Sequence, residues 1–466
     1  MDYKIRTRIA KILIDDKIPV DTEITVLGLV RTIRVQKDIA FVQINDGSCM
    51  GNIQGVIDNP EKYPDLEKIL TGASVRMKGK LILSEGKGQK YEILVSEINM
   101  IGEADNTYPL QKKRHSYEFL REIAHLRPRT NTFGAVNRIR SKLAYAIHRY
   151  YQERDFYYIH TPLISTSDCE GAGDMFRVST LDFKNIPLTE DKKIDWKEDF
   201  FEAEAYLTVS GQLEGELLAT ALGDIYTFGP TFRSENSNTT RHASEFWMIE
   251  PEMAWAELED NMDLAEDFLK HLFKFALEDC KDEMDFFGQW IDKEVRQTLE
   301  HVVSSEFERL PYTEAIKILG KAKNKFEFPV KWGIDLQSEH ERYLTEKTFK
   351  KPVIVYDYPE EIKSFYMRVN DDGKTVRAMD VLVPRIGEII GGSQREERMD
   401  VLTDRIKQKG MADMENYQWY LDIRKYGSCP HSGFGLGFDR ALMYITGMQN
   451  IRDVIPFPRV PRWAKF

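Results

Sequence analysis

At 466 residues, with 42% hydrophobic and 30% charged residues, the composition is that of a soluble globular protein with room for two or three domains. The net charge of −11 excludes a surface that is basic throughout, although one domain can bind nucleic acid while the whole chain is acidic. No apolar run approaches a membrane span, and Met1-Asp2-Tyr3-Lys4-Ile5-Arg6-Thr7-Arg8 has mixed charge with no apolar core after it, so neither a signal peptide nor a membrane partner is expected and the expected location is cytoplasmic.

In chain order, β-rich and partly alternating segments predict strands over 23–34, 39–46, 49–57, 73–83 and 90–101. Turn clusters such as Asn45-Asp46-Gly47-Ser48 and Glu85-Gly86-Lys87-Gly88 separate them. The stretch 60–70 reads as a short helix between the third and fourth strands. That order is the one of an OB-fold barrel, a scaffold that often holds oligonucleotides on one face. Residues 1–104 are therefore assigned to a five-stranded barrel, and the basic, polar stretch around Gln111-Lys112-Lys113-Arg114-His115 to a linker over 105–130. Residues 131–466 remain for a larger α+β domain.

That domain opens on a predicted helix, with Val136, Ile139, Leu143, Ile147 and Tyr150 on one face. Phe156-Tyr157-Tyr158-Ile159-His160 reads as a strand ended by Thr161-Pro162. A second amphipathic helix carries Leu264, Phe268, Leu272 and Phe275, and strands recur near 353–356 and 378–383. The polar run 184–199 reads as a surface loop. Cys49, Cys169, Cys280 and Cys429 are scattered, without a CxxC pair, and fit reduced buried thiols and not a zinc site.

Two distant motifs carry chemistry. One is Pro430-His431-Ser432-Gly433-Phe434-Gly435-Leu436-Gly437-Phe438-Asp439-Arg440, whose glycines let backbone lie close to a flat or anionic ligand, with an arginine at the start of a helix. The other is Phe232-Arg233-Ser234-Glu235, a polar loop through Arg241-His242, then Glu245-Phe246-Trp247-Met248-Ile249-Glu250-Pro251-Glu252. Together they resemble motifs 3 and 2 of the class II aminoacyl-tRNA synthetases. The helix and strand ending at Pro162 resemble motif 1, which forms the dimer interface, so the resemblance implies a homodimer. It also implies an antiparallel sheet flanked by helices.

The resemblance implies ATP as a substrate and a role for each matching residue. Arg233 would hold the α-phosphate and the substrate carboxylate; Glu235 would meet the adenine amino group. Arg241 and His242 would reach the outer phosphates, with Phe246 under the adenine and Arg440 over it. A planar guanidinium suits that last position better than lysine. Mg2+ would sit on Asp380 and Glu388, hard oxygen donors beside Gly391-Gly392-Ser393-Gln394-Arg395. No nucleophile–histidine pair is present, and none is needed: a substrate carboxylate is already ionised, which leaves positioning and charge neutralisation as the catalytic work.

The barrel and the Gly-Gly-Ser-Gln-Arg run narrow the resemblance to the subclass that handles Asp, Asn and Lys. Arg395 would grip a side-chain oxygen, which argues against lysine; Glu170, Ser210 and Gln212 would surround the α-ammonium group. Aspartate enzymes place a lysine where this chain has Gly215, and usually an aspartate where it has Glu250. Losing a cation and lengthening an acid favour a neutral amide, so the expected reaction is activation of L-asparagine and its transfer to tRNA(Asn). The 252–433 interval leaves no room for the large domain inserted in bacterial-type aspartate enzymes. On the barrel, Phe41, Gln54 and Glu92 match anticodon-reading positions, with Arg31 as a backbone or base contact. The alternatives are an aspartate–tRNA ligase, of the discriminating or the non-discriminating kind, an asparagine-forming amide ligase, which would lack the barrel, and a non-catalytic RNA-binding relative, which would be expected to lose Arg233 or Arg440.

Overall fold

Along Ile39–Asn45 each second side chain is buried, so one face of this strand supplies Ala40, Val42 and Ile44 to a core while the other stays accessible. The computed structural model of the protein describes residues 3–86, 88–167, 169, 175–323, 325–410 and 417–466. It divides into two units, 1–137 and 138–466.

The first unit is a closed barrel of β1 (Glu23–Val35), β2 (Ile39–Asn45), β3 (Ile53–Asp58), β4 (Ser74–Leu83) and β5 (Tyr91–Gly102), in the order β1-β2-β3-β5-β4. The long β1 closes it, because its first half pairs with β4 and its second half with β2, with a bulge between Val30 and Thr32. The core holds Val26, Val42, Ile53, Val75, Met77 and Ile93. Two expectations change. The 60–70 helix is instead a pair of single 3-10 turns, Pro60–Lys62 and Leu66–Lys68, because Pro64 between them cannot continue a helix. The third strand begins at Ile53 and not at 49, because the Asn45 amide donates to Cys49 O (3.3 Å) and Gly51 O (2.8 Å) and holds those residues in a turn.

The second unit is built on β6 (Tyr157–Tyr158), β7 (Ile164–Ser165), β8 (Arg177–Val178), β9 (Ala205–Leu207), β10 (Asp224–Phe232), β11 (Glu245–Ala254), β12 (Glu308–Pro311), β13 (Val353–Pro359), β14 (Thr375–Val383), β15 (Gly387–Gln394) and β16 (His431–Gly437). Eight form one sheet, β12-β13-β14-β15-β16-β11-β10-β6, antiparallel at its centre and parallel at the two outer pairs. The helix Leu258–Asp279, opened by a capping box of Glu257 and Asp260, packs on β14, β15 and β16. The helix Gln212–Leu222 packs on β10 and β11, and Phe438–Thr446 on β11 and β16. In the helix Asn131–Gln152 the expected face is fully inward: Val136, Ile139, Leu143, Ile147 and Tyr150 are all buried. The glycine-rich run after Pro430 is a central strand, β16. All four cysteines are buried.

Candidate active site and nucleic-acid face

Strand register assembles the site. β11 faces β10 on one side and β16 on the other, with Thr231 opposite Phe246 and Met248 opposite Gly437. Two cavities open along this line. The first is lined by Arg233, Glu235, Arg241, His242, Phe246 and Arg440 among others, so it gathers all the residues expected around ATP except the metal carboxylate Asp380. The Arg233 guanidinium lies 5.5 Å from the Phe246 ring centroid. Arg241 donates to Ile386 O at 2.9 Å, and His242 Nδ1 lies 2.5 Å from Thr239 Oγ1. Burial, then the Arg440 charge, lowers the pKa of both Arg241 and His242.

The second cavity shares Arg233, Met248, Glu388 and Gly435 with the first and adds Ser210, Gln212, Glu250, Glu252, Lys363, Asp380 and Arg395. Arg233 thus stands where two substrates would meet. Glu250 accepts from the Ser210 hydroxyl, from Gly211 N at 3.2 Å and from Thr227 Oγ1 at 2.8 Å. A carboxylate offers about four acceptor positions, which leaves one for a ligand. Arg395 is only 3% exposed; it grips Glu252 through Nε (3.1 Å) and Nη2, and donates from Nη1 to Ser393 Oγ at 2.9 Å. Its charge is held on, against the cost of burial, by Glu252 and Glu216. Burial pushes Glu252 up to about 8 despite Arg395, and Glu216 and Glu250 add to the rise. Glu170 lies outside the described residues.

The glycines of β16 make room for protein more than for ligand. A Cβ at Gly433 would stand 2.3 Å from the Glu252 carboxylate carbon, and one at Gly435 2.6 Å from Met248 Cε. At Gly437 the nearest atom is Arg440 Cβ at 3.7 Å, and Gly435 and Gly437 both line the first cavity.

Acids collect beside Arg440. Gly391 faces two of them, since a Cβ there would lie 3.1 Å from Glu388 Oε1 and 3.6 Å from Asp380 Oδ1. Asp380 is already paired with Lys363 (2.9 Å). A third acid, Glu341, accepts from Glu388 N at 3.1 Å and fills the space that a side chain at Gly387 (φ +81°) would need. Burial raises Glu388, with Asp380 adding, and burial and Glu388 push Glu341 up to about 8. Repulsion of this kind is relieved by a cation.

On the barrel, register places Thr32, Gln43, Gln54 and Glu92 in one row and Arg34, Phe41, Val56 and Leu94 in the next. Gln54 donates to Glu92 at 2.9 Å, and the Arg34 guanidinium lies 5.6 Å from the Phe41 ring. Phe41, Gln54 and Glu92 are therefore brought together. Arg31 is drawn aside, bonded to Arg129 O and to Asn131 Oδ1 (2.7 Å).

Sequence reasoning passed over Glu252, Glu216, Lys363 and Glu341. Glu252 had a signal: on a strand, Phe246, Met248, Glu250 and Glu252 share one face. Lys363 follows a 3-10 turn and had none.

Residues 116–461 match the family described as class II tRNA synthetases (D, K and N), and residues 24–101 match the OB-fold nucleic acid binding domain. A protein of Nostoc sp. named asparagine–tRNA ligase is 59% identical over 465 residues, 99% of this chain and 100% of that protein. One of the same name from Acetivibrio thermocellus is 59% identical over 449 residues, 96% and 97% of the two chains. The structure of asparaginyl-tRNA synthetase from Pyrococcus horikoshii complexed with asparaginyl-adenylate superimposes with a TM-score of 0.84 at 31% identity, over 98% of each chain. With both domains matched in order and nearly the full length aligned, the chain belongs to the class II tRNA synthetases of the D, K and N family.

Proposed function

We infer that this chain is an asparagine–tRNA ligase, which activates L-asparagine with ATP to asparaginyl-adenylate and pyrophosphate, then transfers asparagine to the 3′ end of tRNA(Asn). The observation that carries the choice of amino acid is Gly215. A Cβ there would meet Ile225 Cδ1 at 3.5 Å and Glu252 Cγ at 3.6 Å, ordinary contacts, so sterics do not forbid a side chain. What is missing at this position is a second cation, beyond the Arg395 that Glu252 already holds. With Glu250 and Glu252 both lining the cavity and Arg395 already ion-paired, an aspartate side chain would enter an acid-rich site unpaired. The aspartate–tRNA ligase alternative loses on that ground, and the amide-ligase alternative on the anticodon-type barrel. Pyrophosphate exchange driven by L-asparagine and not by L-aspartate is the expected result; equal rates with both would overturn the choice.

Arg395 and the open acceptor position of Glu250 hold the side-chain amide, the first giving to its oxygen and the second taking from its nitrogen. Ser210, Gln212 and Glu170 hold the α-ammonium. Arg233, shared by the two cavities, draws the substrate carboxylate toward the α-phosphate for in-line attack. Charge building on the phosphate oxygens meets Arg233, and the outer phosphates meet Arg241, His242 and Arg440. Phe246 and Arg440 sandwich the adenine, and Glu235 accepts from its amino group. Glu388 is the best-placed carboxylate for Mg2+, with Asp380 and Glu341 beside it; the crowding of these acids fits an ion that takes one or two carboxylates plus phosphate oxygens. When bound, Mg2+ supplies charge neutralisation on the phosphates.

Residues 1–104 serve as the anticodon domain and 105–130 as the linker to the catalytic domain, 131–466. Phe41 stacks on an anticodon base, Gln54 and Glu92 read base edges as a hydrogen-bonded pair, and Arg31 contributes from the rim. The enzyme works as a cytoplasmic homodimer. β6 is a two-residue edge strand followed by Pro162, and Tyr145, Tyr157, Leu163 and Ile164 around it are exposed apolar side chains awaiting a partner. A mass near twice 54.3 kDa in solution at micromolar concentration is expected; a fully active monomer would contradict it. No helix among the described residues is long and apolar enough to cross a membrane.

A further inference from the structure

Behind the amino-acid cavity lies a charge that the reaction does not use directly. Glu216 is fully buried on the helix Gln212–Leu222, one turn after Gln212, and does not line the cavity. It accepts from Arg424 Nη2 at 2.7 Å, from Tyr420 OH at 2.8 Å and from Gln212 Nε2 at 3.0 Å. His431 Nε2 lies 2.8 Å from it and Arg395 Nε 4.0 Å. Two of these neighbours, Gln212 and Arg395, do line the cavity.

Both contacts bear on the ligand. A carboxylate only accepts, so Glu216 fixes the Gln212 amide with its NH₂ turned inward, which leaves its oxygen to accept from an ammonium group. The second effect is charge. Glu216 lies 4.0 Å from Arg395, which Glu252 also grips, so a second acid stands behind the guanidinium that faces the cavity, in a region where burial lets charges act over several ångströms. Replacing Glu216 by a neutral group would leave more of the Arg395 charge uncompensated, and a ligand carboxylate would then be tolerated.

We propose that Glu216 is a specificity-determining positioning residue: acting through Arg395 and Gln212, it sets the cavity's preference for a neutral amide side chain over a carboxylate. This rests on the assignment of the second cavity to the amino acid.

The test compares kcat/KM for pyrophosphate exchange with L-asparagine and with L-aspartate in the full-length enzyme. Glu216→Gln lowers the Asn/Asp ratio by about tenfold or more, with aspartate exchange rising in absolute rate. Arg424→Met, which leaves the Glu216 charge less compensated, moves the ratio the other way. Damage to packing would lower both substrates together in both variants, so opposite shifts are the signature. A ratio unchanged in Glu216→Gln, or falling in both variants, overturns the proposal. If Glu216→Gln does not fold, Arg424→Met carries the test alone: a higher ratio supports it, and an unchanged or lower one overturns it. Arg395→Gln separates the two levels of inference. If asparagine exchange survives that change, the cavity itself is misassigned; if it is lost while Glu216→Gln keeps the wild-type ratio, only the role of Glu216 fails.

Discussion

The amino-acid cavity and the barrel face hold their polar groups in opposite ways. In the cavity two charges are tied several times over: Glu250 by Ser210, Gly211 and Thr227, and Arg395 by Glu252 and Ser393. On the barrel, Gln54 and Glu92 hold each other, and Phe41 stands beside Arg34 with its ring partly accessible. On the proposed assignment the cavity must reject a ligand that differs by one amide, a task suited to groups fixed before the ligand arrives, because a misplaced charge there is costly. The barrel must accept flexible bases, where stacking contributes about 1–3 kcal/mol each and tolerates adjustment.

Four substitutions press on that contrast. The largest effect is expected from Arg233→Ala or Arg440→Ala, which should lower asparagine-dependent pyrophosphate exchange by about 10² or more, because a cation serving the transition state is removed. Binding of tRNA, measured separately, should hardly change; near-normal exchange in both variants would mean the site lies elsewhere. Next, Gly215→Lys places a cation beside Glu252 without a Cβ clash and should cut the preference for asparagine over aspartate by about tenfold or more. An unchanged preference would show that the cavity discriminates by shape and not by charge. The smallest effect is Phe41→Ala. It should weaken tRNA charging by about 1–3 kcal/mol, one stacked base, and leave exchange without tRNA intact. A parallel fall in exchange would mean that the two regions are energetically coupled.

What could be read from the chain followed how local the determining forces were. Barrel strands were legible because burial alternates within a few residues, as in Ile39–Asn45. The helix expected over 60–70 failed on Pro64, a local signal outweighed by the surrounding pattern, and the early start given to the third strand failed on the side chain of Asn45. The motif residues that converge on the first cavity could be named because the family spacing carried them. Glu216 could not, because its meaning depends on Arg424 and His431, 208 and 215 residues further along the chain. Asp380, expected as a metal carboxylate, lines the second cavity, and its pairing with Lys363 is a tertiary event that no spacing announces.

The contact between Gly433 and Glu252 has a consequence for inheritance. The strand that carries the nucleotide motif also makes the socket for the acid that steadies Arg395, since any side chain at 433 would displace the Glu252 carboxylate. On the proposed assignment of the two cavities, nucleotide and amino-acid recognition therefore cannot drift independently at this position. A change in the motif counted as belonging to ATP would first appear as a loosened grip on the amino acid, and a new amino-acid specificity would have to evolve around a glycine it never touches.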